Sequence, residues 1–275
     1  MTSYYRIERY VQDVPQETSP CEPVMISENW PTQGAVSVQD LTAGYSWDEH
    51  EALKDIRFNT KAGERIAIVG RTGSGKSSLA LSLLRLTTRL QGSITIDGID
   101  VESLEVDQLR QHICLIPQDP TLFDGSLRFN LDPSGRAPDE YLQTVLDDVA
   151  GTPNKWHLGD LVHGNGKNFS HGERQLVALG RAIVRQNRIV ILDEGTASLD
   201  PSSEARIQAV LRARFRACTV IAIAHRLHGV IDFDRVLVLD GGRVVEQGRP
   251  RELLRAEKGW FRTLYKQQCG HSWSE

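Results

Sequence analysis

The chain has 275 residues, 40% of them hydrophobic and 25% charged, which is the composition of a globular protein long enough for one large α/β domain or two small lobes. A formal net charge of -4, with Lys and Arg scattered along the chain, excludes the clustered basic surface that nucleic-acid binding needs. No apolar run approaches the roughly 18 residues that cross a bilayer, and the first residues are not a signal peptide, so this chain is not expected to insert into a membrane.

Residues 1 to about 33 are polar and carry Pro15, Pro20, Pro23 and Pro31, with one short helical pattern at 5–11; they read as the remnant of a linker. From Ala35 the alternation of Val36, Val38 and Leu41 predicts a half-buried strand. The apolar run 65–69 predicts a second strand, followed by the turn Gly70-Arg71-Thr72-Gly73-Ser74-Gly75-Lys76-Ser77 and a helix over 78–84. Ile94 and Ile96 before Asp97-Gly98 predict a hairpin edge. Short apolar runs at 113–116, 189–192 and 220–223 predict buried parallel strands, whose ligands gather at their carboxyl ends. The interval 133–168 turns helical and polar and reads as a separate helical lobe. Beyond it come a strand at 235–239, the turn Asp240-Gly241-Gly242, and one amphipathic helix from Pro250 to about Gln267. Cys21, Cys114, Cys218 and Cys269 are widely spaced with no C-x-x-C pair, which fits reduced thiols rather than a metal site.

Strand, glycine-rich turn and helix, in that order, make a phosphate-binding loop: the glycines let backbone N–H groups turn inward, and the helix aims its positive end at the same charge. Lys76 then pairs with the β- and γ-phosphates of the bound polyphosphate, and Ser77 holds Mg²⁺. Asp193 and Glu194 end an apolar strand; beside a polyphosphate, Asp193 fits a ligand that supports Mg²⁺ through water or from behind its direct ligands, and Glu194 a general base for the attacking water. Gln118 and His225 also follow apolar strands. Either would be unremarked alone, and their place in the order of motifs is what makes them candidates.

That order, with Ser170-His171-Gly172 between Gln118 and Asp193 and Ser198-Leu199-Asp200 before His225, resembles the nucleotide-binding domain of ATP-binding cassette (ABC) transporters from about Ala35 to the last helix. The resemblance implies an α/β fold: a P-loop NTPase core of ABC type with an N-terminal antiparallel β subdomain and an inserted α-helical subdomain at about 133–185, the cassette covering 34–268 and a tail 269–275. It assigns Gly70 to Ser77 to the Walker A loop, with Ser78 beside it, and Gln118 to the Q-loop as a metal ligand and positioning group. It assigns Ser170 and Gly172 to the signature turn, Asp193 and Glu194 to Walker B, Asp200 to the D-loop and His225 to the switch. Tyr45 stands where the family stacks an aromatic ring on adenine. Phe123 to Pro133, Cys218 to Leu227 and Glu246 to Pro250 resemble the C subfamily, the multidrug-resistance-associated-like transporters, and the presence of Glu194 resembles their second cassette.

Implied partners are a second cassette, paired head to tail, and transmembrane domains that this chain lacks, with Mg²⁺ and ATP as cofactors. The implied place is the cytoplasmic face of a membrane, where the cassette powers export. A stand-alone or truncated cassette without transport, soluble in the cytoplasm, and a soluble ABC ATPase stay open as alternatives. The signature departs from Leu-Ser-Gly-Gly-Gln: it reads Phe169-Ser170-His171-Gly172-Glu173. A carboxylate roughly 5 Å from the γ-phosphate costs about 3 kcal/mol at an effective dielectric near 20, more than the helix dipole returns. Ser170-x-x-Glu173 is also a capping box, so Glu173 is expected to fold back onto the Ser170 N–H, leaving a sound but weaker signature. The segment 162–166 lacks the family's usual acidic residue, which bears on coupling to membrane domains, and Gly195 replaces the more usual alanine.

Overall fold

The computed structural model describes residues 2–13, 17, 20, 22–45, 51–194, 201–224 and 226–269. After α1 (Thr2–Asp13) the chain runs β1 (Val36–Gly44), β2 (Leu53–Asn59), β3 (Arg65–Gly70), α2 (Lys76–Ser82), β4 (Thr88–Ile96), β5 (Ile99–Asp100), α3 (Val106–His112) and β6 (Ile113–Ile116). Next come β7 (Gly125–Ser126), α4 (Leu127–Leu131), α5 (Asp139–Ala150), β8 (Leu161–Val162) and α6 (His171–Arg185). The chain closes with β9 (Ile189–Glu194), α7 (Pro201–Arg214), β10 (Thr219–Ala224), β11 (Arg235–Asp240), β12 (Arg243–Gly248), α8 (Pro250–Arg255) and α9 (Trp260–Cys269). Of the two larger sheets, one is antiparallel, ordered β2-β1-β4-β5, and the other, β12-β11-β3-β10-β9-β6, is parallel except for its β12 edge; β7 and β8 form a separate antiparallel pair.

The parallel strands are apolar along their middles, where both of their faces are covered. Side chains alternate across a strand, so Ala67, Val69, Val190, Leu192, Val220 and Ala222 join one core, filled by α4 to α9. Ile66, Ile68, Ile189, Ile191, Ile221 and Ile223 join the other, filled by α2, α3 and the antiparallel sheet. Leu142, Val145 and Leu146 of α5 belong to the first core, so the helical interval shares its interior with the parallel sheet.

The polar composition before Ala35 hides a docked segment. Trp30 is 5% exposed and meets His112 edge-to-face at 5.4 Å. The Asp97 carboxylate, in the β4–β5 turn, accepts N–H groups from Gln33, Gly34 and Ala35. Farther back, both Glu17 oxygens accept from Arg110, whose Nε donates to the Leu84 carbonyl.

The single C-terminal amphipathic helix read from the sequence is instead two helices, broken over 256–259. Ala256 is extended (ψ 133°), and Glu246 on β12 accepts the Phe261 N–H at 2.7 Å, starting α9 from another element. A β-carbon on Gly259 would sit 2.7 Å from that carboxylate.

Candidate nucleotide site

β3 lies between β10 and β11 and delivers Gly70 opposite Leu239. Only glycine fits there, since a β-carbon would stand 2.2 Å from the Leu239 carbonyl oxygen. Gly75 caps α2 at φ +98°, a left-handed conformation that a side chain disfavours. The β11–β12 turn holds the loop from outside: Gly242 donates its N–H to Ser74 O at 3.1 Å and accepts from Lys54 N at 2.8 Å. Sequence reasoning took the turn at 240–242 only as a chain reversal; its Gly-Gly pair was the signal for a close backbone approach.

Lys76 is 5% exposed, and its ammonium donates to the carbonyls of Gly70 (3.0 Å) and Arg71 (2.9 Å). Burial lowers its pKa from the ordinary value, while the charge of Asp193 raises it. Ser74 Oγ is buried and finds no partner among the described residues. An ammonium with a third N–H to place and an orphaned hydroxyl, inside a wall of backbone donors, suit a polyphosphate. Ser77 and Thr72 are exposed at the mouth of the loop, and the Tyr45 hydroxyl meets Ser78 Oγ at 2.9 Å, leaving the tyrosine ring 54% exposed at the end of β1.

Asp193 is the penultimate residue of β9, near enough to Lys76 for its charge to act on the ammonium. Glu194 is the last residue of β9, and its side chain lies outside the described residues, as do Gly195, Ser198, Asp200 and His225. Gln118 is exposed just past β6, and its carbonyl accepts from Gln175 Nε2 at 3.2 Å. Thus the loop, Asp193 and Tyr45 gather around the start of α2, while the Gln118 backbone is tied to Gln175 of α6.

At the start of α6 the capping box is complete. Ser170 Oγ accepts the Glu173 N–H at 3.2 Å, and Glu173 Oε2 accepts the Ser170 N–H at 3.0 Å. The other carboxylate oxygen takes Lys155 Nζ at 3.0 Å, a partner that nothing in the local sequence announced. Burial raises the Glu173 pKa, but the Ser170 hydrogen bonds and Lys155 outweigh it and hold the carboxyl below its ordinary value. Phe169 packs edge-to-face on Trp156 at 5.8 Å, so the loop that presents Lys155 is anchored beneath the turn.

Residues 53–197, more than half of the chain, match the family described as ABC transporter. The chain belongs to the ABC transporter family. It is 45% identical over 256 residues to the ATP-binding cassette transporter abc1 of Schizosaccharomyces pombe, covering 89% of this chain and 18% of that protein. It is 43% identical over 243 residues to ATP-binding cassette sub-family C member 2 of Rattus norvegicus, covering 87% of this chain and 16% of that one. A solved bacterial Atm1-family ABC exporter with ATP bound superposes with a TM-score of 0.83 at 32% identity, over 100% of this chain and 48% of the exporter. The cassette therefore spans a minor part of these curated relatives, has the nucleotide-binding fold of the family, and includes no helix among its described residues long and apolar enough to cross a membrane.

Proposed function

We propose that this cassette binds ATP with Mg²⁺ and hydrolyses it as one half of a head-to-tail pair, driving export through the transmembrane domains of a C-subfamily transporter. The observation that carries the reading is Lys76: a buried ammonium held by two neutral carbonyls, with Asp193 beside it, at the start of a helix. Lys76 and the loop amides of residues 70–78 bind the β- and γ-phosphates, and the Tyr45 ring carries the base. Ser77, Asp193 and Gln118 offer hydroxyl, carboxylate and amide oxygens, a hard donor set that suits Mg²⁺. When bound, that ion neutralises charge on the phosphate oxygens.

Glu194 then polarises the attacking water, and His225 and Gln118 position it against the γ-phosphate, so that catalysis is mostly placement and electrostatics. Ser170 and Gly172 serve the nucleotide held by the partner cassette, and Asp200 lines the shared interface. We take residues 34–268 as the cassette and about 133–185 as its helical subdomain. Phe123 and Phe129, 53% and 44% exposed and in edge contact at 6.2 Å, form with Leu161 an apolar patch suited to membrane-domain docking. Docking there places the cassette on the cytoplasmic face of a membrane.

Binding of a fluorescent ATP analogue, with and without Mg²⁺, tests the reading. A charge-assisted hydrogen bond contributes about 1.5–3 kcal/mol, so Lys76→Ala is expected to weaken binding about 10- to 150-fold. Equal affinity of the parent and Lys76→Ala would overturn the assignment of the site.

A further inference from the structure

The loop that carries Gln118 is tied to the first turn of α6 by side chains that none of the roles above uses. Gln175, buried at 6% exposure, donates Nε2–H to the Gln118 carbonyl at 3.2 Å. The same nitrogen lies 3.4 Å from His171 Nε2, and Arg174 Nη2 lies 3.3 Å from His171 Nδ1. Nδ1 faces Asp119 Oδ1 at 3.5 Å, and Arg174 donates to that oxygen at 3.0 Å. Ile116, Pro117, Gln175 and Asp193 line a common cavity behind these contacts, so the tie sits against the end of β9.

We infer that His171, Arg174 and Gln175 latch the Gln118 loop to the signature helix, making His171 a positioning residue that links the chain's own nucleotide site to the signature turn it offers its partner. Position 171 is where the resembled signature has glycine, which could reach neither Asp119 nor Gln175. In this chain, displacement of Gln118 by the nucleotide is carried directly to Ser170 and Gly172, three to five residues from Gln175 on the same helix. The inference rests on the reading of Gln118 as a group that faces the nucleotide, but the latch itself exists without one.

Hydrogen exchange of the full chain, read by mass spectrometry on peptides covering residues 117–122, tests it. His171→Gly restores the family residue and is expected to fold; it should raise exchange in that segment about three- to tenfold, the loss of about one net hydrogen bond. Gln175→Leu should do the same, and His171→Gln, which keeps a donor and an acceptor, should restore much of the protection. A positioning role adds a second readout: in a cassette pair that turns over ATP, His171→Gly should change kcat with KM for ATP within about twofold, and His171→Gln should recover it. Unchanged exchange in 117–122 for both His171→Gly and Gln175→Leu, with each variant giving a parental melting curve, would overturn the latch. Failure of the parent to bind ATP would instead strike the functional reading and leave the exchange result standing.

Discussion

Replacing Lys155 by methionine isolates the charge on the signature turn. In the parent, Lys155 Nζ sits 3.0 Å from Glu173 Oε1. In the proposed head-to-tail pair, the turn would thus face the partner's γ-phosphate as an ion pair rather than as a bare carboxylate. A carboxylate at roughly 5 Å from a phosphate charge costs about 3 kcal/mol at an effective dielectric near 20, and an ammonium at roughly 7 Å returns about 2 kcal/mol. The two side chains are 41% and 28% exposed, so solvent and salt screen both contributions. Lys155→Met is therefore expected to weaken ATP-dependent pairing by about 1–2 kcal/mol, or about 5- to 30-fold in the dissociation constant. Sedimentation velocity at fixed ATP, in the Glu194→Gln background to prevent turnover, measures this. Glu173→Gln should strengthen pairing, and Lys155→Met with Glu173→Gln should pair at least as well as the parent. Pairing that is unchanged by Lys155→Met at low salt would refute the electrostatic argument.

Three further outcomes follow from the same geometry. Gly75→Ala, forced to keep φ near +98° with its β-carbon 2.9 Å from the Ala52 carbonyl, should lose about 1–3 kcal/mol and most nucleotide affinity; calorimetric titration and thermal melting check both. Trp30→Ala should cost about 3–5 kcal/mol in denaturant unfolding, whereas a tryptophan in a loose linker would cost almost nothing. Glu173 is held below the ordinary carboxylate value of 4.5, so its capping contribution is complete above that pH and is lost as pH falls through the lower folded-state value. The stability gap between the parent and Glu173→Ala should be level from pH 7 to about 5 and shrink below about 4, as melting curves across that range will show.

Much of the site was legible because its chemistry is written in contiguous residues. The loop from Gly70 to Ser77 follows its strand and opens its helix, and Ser170-x-x-Glu173 specifies a capping box within four residues; both need only local geometry. What stayed hidden depends on chain reversals. Lys155 reaches Glu173 across 18 residues, Glu17 reaches Arg110 across 93, and Asp119 reaches Arg174 across 55. No periodicity reports such pairs. The C-terminal helix was misread for a related reason, since hydrophobic spacing continues through 256–259 while Glu246, on a different strand, fixes where α9 begins. Trp30 offered a signal, a large apolar side chain in an otherwise polar stretch, that the run of prolines outweighed.

The central claim is that this cassette is an ATPase that works in a pair, with Glu194 polarising the attacking water. Steady-state ATP turnover of the chain, alone and mixed with a first cassette of a C-subfamily transporter, tests it most directly. The account predicts Mg²⁺-dependent turnover that rises on mixing and falls by two or more orders of magnitude in Glu194→Gln, on the order of the contribution of a positioned general base. Turnover indistinguishable between the parent and Glu194→Gln under both conditions would contradict it.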